Sequence, residues 1–134
     1  MDNLGIATII ISLVALLISV ISLFFSQKYN LLVMGQVEMQ IRKQINYSRR
    51  NFEQIAIANG MFKETLDSAI EEYLNSYNEA CQKYIDKKVD RKRFRKSYEV
   101  EIRNIVKNYH SKYGAGSEYN ATKKVHDDWF NLEK

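Results

Sequence analysis

The sequence contains no proline and only five glycines in 134 residues. Those two residues are the usual breakers of helices, so their scarcity argues against a fold of short strands and tight turns and for long helices. A single cysteine, Cys81, excludes an internal disulfide framework. Only two histidines are present, and neither His110 nor His126 has a cysteine or a second histidine close in sequence. No metal motif is therefore expected, and no cofactor. Charge is also missing where it matters: from Leu4 to Phe25 the chain runs 22 residues without one ionisable side chain.

That run, LGIATIIISLVALLISVISLFF, is long enough to cross a bilayer. At 1.5 Å per residue a helix of this length extends about 33 Å, against a hydrocarbon core of roughly 30 Å. A cleaved signal peptide would begin with a positive segment, use a shorter apolar core and end at small residues. Here the run follows Met1-Asp2-Asn3 and leads into Ser26-Gln27-Lys28, so an uncleaved membrane helix is expected over residues 1–27. No Lys or Arg precedes it, whereas Lys28, Arg42 and Lys43 follow. By the positive-inside rule the N-terminus lies outside and residues 28–134 are cytoplasmic. Asn46-Tyr47-Ser48 and Asn120-Ala121-Thr122 match the glycosylation sequon only by chance on this topology.

Beyond residue 27 the chain carries all 20 Lys and Arg but 15 of the 16 acids, an excess of five positive charges. Such an excess favours an anionic partner, RNA or anionic lipid. Apolar residues recur here with helical spacing, which predicts an all-α bundle continuing directly from the span. The first helix is expected to run to Asn59-Gly60, burying Ile41, Ile45, Phe52, Ile55 and Ala56. A second spans about Met61–Lys87, with a stripe of Phe62, Leu66, Ala69, Tyr73, Tyr77, Ala80 and Tyr84. A third, capped by Asp90 and ending near Tyr113, carries Phe94, Tyr98, Ile102, Ile105, Tyr109 and Tyr113. After Gly114-Ala115-Gly116, Ser117 is expected to cap a short last helix with Val125, Trp129, Phe130 and Leu132 on its buried face. These aromatic stripes read as core rather than as a ligand pocket.

Three features point to function. Within the span, Gly5, Thr8, Ser12, Ala15, Ser19, Ser22 and Ser26 are spaced 3, 4, 3, 4, 3, 4. A heptad line of small residues lets helix backbones approach closely, so this face is expected to meet other copies of the chain, either as a dry seam or around a polar pore. The alternative is that each hydroxyl bonds to its own helix, which explains single serines but not their alignment. The second feature is a cationic run of Lys87, Lys88, Arg91, Lys92, Arg93, Arg95 and Lys96, suited to phosphates of RNA or lipid, or else simply a solvated helix start. Cations there oppose the helix dipole, which favours a partner that offsets them.

The third is Arg103-Asn104 followed by His110. Seven residues apart on one helix, Arg103 and His110 would share a face beside Val106. Histidine can move a proton at a ribose hydroxyl while arginine holds the phosphate, so the pair has a rationale for metal-independent RNA cleavage. An Arg, then Asn, then His in a helical domain of this size resembles the HEPN superfamily. Together with the N-terminal span it resembles the small transmembrane accessory proteins of type VI-B CRISPR loci. The resemblance implies a homo-oligomeric, pore-forming membrane effector in bacterial antiphage defence, located in the bacterial inner (plasma) membrane and partnered by a CRISPR effector. It also implies that Arg103, Asn104 and His110 are catalytic, or are structural remnants of a nuclease site. The leading expectation is thus a non-enzymatic effector; the alternatives are a membrane-tethered ribonuclease and a non-catalytic membrane-anchored adaptor.

Overall fold

A computed structural model describes residues 3–58 and 63–131. The described residues form four α-helices and one 3-10 turn, with no strand: α1 (Asn3–Ile57), α2 (Lys63–Ile85), α3 (Arg91–Asn108), the turn His110–Tyr113 and α4 (Asn120–Phe130). Contacts divide the chain into two compact units, Met1–Gly35 and Gln36–Lys134.

The first unit is the N-terminal part of α1. Its apolar window is long enough to cross a membrane, and none of it is buried within the chain. A core helix of a soluble protein would be mostly covered by its own fold. Here Ile, Leu, Val and Phe from Leu4 to Phe25 stand exposed. At its end Lys28 sits 4.9 Å above the Phe24 ring.

In the second unit the remainder of α1 contributes Ile41 and Ile45 to the core. Ser48 takes the next position on that face because its hydroxyl donates to the Ile45 carbonyl and pairs with Ser76 of α2 at 2.9 Å. Phe52 and Ile55 are half-buried, but Ala56 is exposed, contrary to the periodic expectation. The drift of a straight helix against a heptad moves Ala56 off the covered stripe. The contacts Gln44–Glu79, Ser48–Ser76 and Asn51–Glu72 run α2 antiparallel to α1. Glu38–Arg93 and Arg49–Glu101 run α3 parallel to it.

The α2 stripe is buried at Ala69, Tyr77, Ala80 and Tyr84, widened by Leu74, Ser76 and Cys81. Phe62 and Leu132 of the expected stripes, and the expected stop at Asn59-Gly60 with the helix start at Met61, lie outside the described residues. Two boundaries differ from the periodic pattern. α2 ends at Ile85, not Lys87, in a C-terminal motif where Lys88 N–H donates to the Lys83 carbonyl at 2.9 Å and Lys87 N–H to the Tyr84 carbonyl at 3.2 Å. Lys87 takes the left-handed position of that motif, at φ 57°. α3 is capped as expected, Arg93 N–H donating to Asp90 Oδ1 at 2.8 Å. It stops at Asn108 because Tyr109 leaves helical geometry at φ −114°, ψ 34°, and a 3-10 turn carries the chain on to Tyr113.

Ser117 does not cap α4. Its Oγ accepts from Tyr119 N–H and donates to the Lys112 carbonyl, closing the loop before the helix. The free N–H groups of Ala121 and Thr122 instead donate to Asn78 Oδ1, reached across from α2 at 3.0 and 3.1 Å. At the other end of α4, Trp129 Nε1–H donates to the Tyr84 hydroxyl at 3.1 Å, and its ring packs edge-on to Tyr84. Tyr77, Tyr84, Phe94, Ile102, Ile105, Val125 and Trp129 form the centre of the core.

Candidate functional site

The small residues of the span are placed by helix geometry alone. An α-helix with 3.6 residues per turn brings positions three and four apart onto one face, so Gly5, Thr8, Ser12, Ala15, Ser19, Ser22 and Ser26 form a narrow line along α1. Three hydroxyls bond back to their own helix: Thr8 to the Leu4 carbonyl, Ser12 to Thr8 and Ser19 to Ala15, each at 2.9 Å. Each of those hydroxyls is thereby satisfied as a donor without leaving the helix, and each oxygen keeps acceptor capacity. A Cβ added at Gly5 would meet nothing within 4 Å, so space above this residue is open.

The cationic run is split by the end of α2. Lys87 and Lys88 lie in the turn, and Arg91 to Lys96 occupy the first turns of α3, where the Asp90 cap supplies the acidic group at the helix N-terminus and the first turn itself holds none. The three arginines are tied down by the fold. Arg91 stacks 4.6 Å above the Tyr84 ring, Arg95 pairs with Glu99 at 3.0 Å and faces Trp129, and Arg93 pairs with Glu38 at 3.4 Å. Glu38 also accepts from Asp90 N–H. The side chains of Lys87, Lys88, Lys92 and Lys96 enter no ion pair among the described residues, and all four are exposed.

Arg103, Asn104 and His110 occupy different settings. Arg103 lies on α3 with its guanidinium 4.5 Å above the Phe130 ring of α4. Asn104 lines an open cleft with Arg49, Phe52, Tyr73, Asn108 and Tyr109. His110 begins the 3-10 turn beyond α3 and is exposed, so the seven-residue spacing no longer follows a single helix. No hydrogen bond or ion pair joins the three to one another among the described residues.

The same cleft carries a network that spacing arguments did not find. Tyr77 Oη donates to Glu101 Oε2 at 2.7 Å, and Arg49 donates to Glu101 Oε1 at 3.2 Å. Burial, then the neighbouring Tyr73 and the bond to Glu101, push the Tyr77 phenol far above its usual range, so it stays protonated as a donor. Burial opposes the Arg49 charge, but Tyr77 and Glu101 outweigh it and its pKa rises. Residues 28 and 52 positions apart meet here, and no local pattern signals such a pairing. Burial also pushes the Cys81 thiol up to about 12, which makes it an unreactive core residue.

Set against known proteins, the chain matches no family model, no curated protein and no solved structure. What it does must therefore be argued from its own residues and their placement.

Proposed function

We propose that this chain is a single-pass membrane protein that works as a homo-oligomer, with spans packed along the Gly5–Ser26 line and the bundle on the cytoplasmic side. One observation carries this reading. The apolar window of the helix is not buried by its own chain, yet seven of the eight small residues between positions 5 and 26, all but Ala7, fall on one line. Lipid can cover the Ile, Leu, Val and Phe surface, whereas a groove of small residues gains most by receiving another helix closely. Lys28, directly after the span, and Arg42 and Lys43 beyond it support the orientation.

The finer proposal is that the assembled spans form a pore in the bacterial plasma membrane serving antiphage defence. Its support is the row of hydroxyls on the packing face and the HEPN-like resemblance carried by Arg103, Asn104 and His110. The ribonuclease alternative gains nothing from the side-chain geometry, since Arg103 is engaged with Phe130 and His110 sits beyond the helix end.

Replacing Ser19 and Ser22 by Leu tests the reading. Two branched side chains on the seam hold the backbones apart, and the expected result is a shift to monomer in membranes with loss of conductance across planar bilayers. An oligomer that survives both substitutions unchanged contradicts it. His110→Ala is expected to leave assembly and conductance unaltered.

A further inference from the structure

The fold sorts charge along the bundle. Residues 36–45 and 79–98, which meet through the Glu38–Arg93 and Gln44–Glu79 contacts, hold ten Lys and Arg against four Asp and Glu. The remaining described parts of the bundle, residues 46–58, 63–78 and 99–131, hold eight against ten. The antiparallel course of α2 and the parallel course of α3 produce this sorting, because they bring the end of α2 and the start of α3 beside the residues with which α1 enters the bundle. The cationic end is thus the end at which the chain arrives from the apolar run, and Gln36 follows Phe25 by only 11 residues.

We infer that this end of the bundle is a docking surface for anionic lipid headgroups of the bilayer that the span crosses. Lys87, Lys88, Lys92 and Lys96 are the side chains that would meet them: exposed, outside any ion pair among the described residues, and grouped around the N-terminus of α3. The arginines of the same run are held by Tyr84, Glu38 and Glu99, so they supply local potential rather than reach. Lysines act on headgroups as flexible point charges, and attraction to an anionic leaflet fades within a Debye length, about 8–10 Å. The cluster belongs to the end of the bundle that the chain enters, tethered by 11 residues to the apolar run. RNA is the less favoured occupant because no exposed aromatic side chain lies within the run: Phe94, its one aromatic residue, is buried, and Tyr84 and Trp129 are covered by Arg91 and Arg95.

The test uses the full chain in lipid nanodiscs, one set of phosphatidylcholine alone and one containing phosphatidylserine, with amine-reactive labelling read residue by residue. Expected is a several-fold slower labelling of Lys87, Lys88, Lys92 and Lys96 in the phosphatidylserine discs, reversed by high salt. Lys63, Lys107, Lys112, Lys123 and Lys124 in the same molecules should label equally in both. Equal labelling of the four lysines in both discs overturns the inference, as does slowing spread over every lysine. Protection by an added RNA oligonucleotide in phosphatidylcholine discs, without any response to phosphatidylserine, overturns it in favour of RNA. The inference rests on the membrane reading above: a chain that fails to insert into either disc overturns both, whereas an inserted chain with indifferent lysines overturns this one alone.

Discussion

Lys87 shows how one residue can serve structure and charge at once. It occupies the left-handed position after α2, which glycine fills at lowest cost because a Cβ crowds the following carbonyl. Lys87→Gly is therefore expected to raise the stability of the bundle by about 1 kcal/mol in a denaturant titration. A loss of stability would mean that the lysine side chain itself supports the turn. The helix end was hidden in the sequence because the position carries no glycine, and apolar spacing runs on through Tyr84 and Ile85 without a break. By contrast the cap at Asp90 was legible, since an acid before a polar helix start is a strong local signal and the bond to Arg93 N–H is purely local.

At the scale of elements, stripes were readable and their partners were not. Phe94, Ile102 and Ile105 on α3, and Ala69, Tyr77, Ala80 and Tyr84 on α2, are buried as their spacing predicts. The start of α4 is not legible at Ser117 because sequence offers only nearby candidates, while the group that caps it, Asn78, comes from 43 residues upstream. Asn78→Ala removes the acceptor from two N–H groups and is expected to cost about 1–2 kcal/mol, loosening α4 first in hydrogen exchange. Asn78→Asp keeps the acceptor, places negative charge at the helix N-terminus and should retain stability. The Arg49–Glu101–Tyr77 contact was likewise invisible, being made by three helices at once. Arg103, singled out as a catalytic candidate, is placed by its contact with Phe130, a long-range pairing that no spacing rule supplies.

For the whole molecule, burial of phenols and a thiol fixes the response to alkali. Tyr73, Tyr77, Tyr98, Tyr113 and Tyr119 are all raised above their usual 10.0 by burial, and Cys81 rises from 9.0 to about 12. Above these ordinary values the unfolded chain releases protons that the folded chain retains, so stability is full below about pH 9 and falls as pH rises beyond it. Thermal unfolding scanned from pH 7 to pH 11 should show that decline, and a flat profile would contradict the buried placement of these groups. On the same scale, the apolar window of the first unit is not buried within the chain, and the small-residue line names the face on which a partner should pack. Disulfide crosslinking in membranes tests that most directly, with single cysteines introduced along the span in a Cys81→Ser background. Crosslinked dimers are predicted for Ser12→Cys and Ser19→Cys on the line and not for Ile10→Cys and Leu17→Cys on the opposite side of the helix. Crosslinking that is equal on both faces, or absent from both, would contradict a span built to meet its own copies.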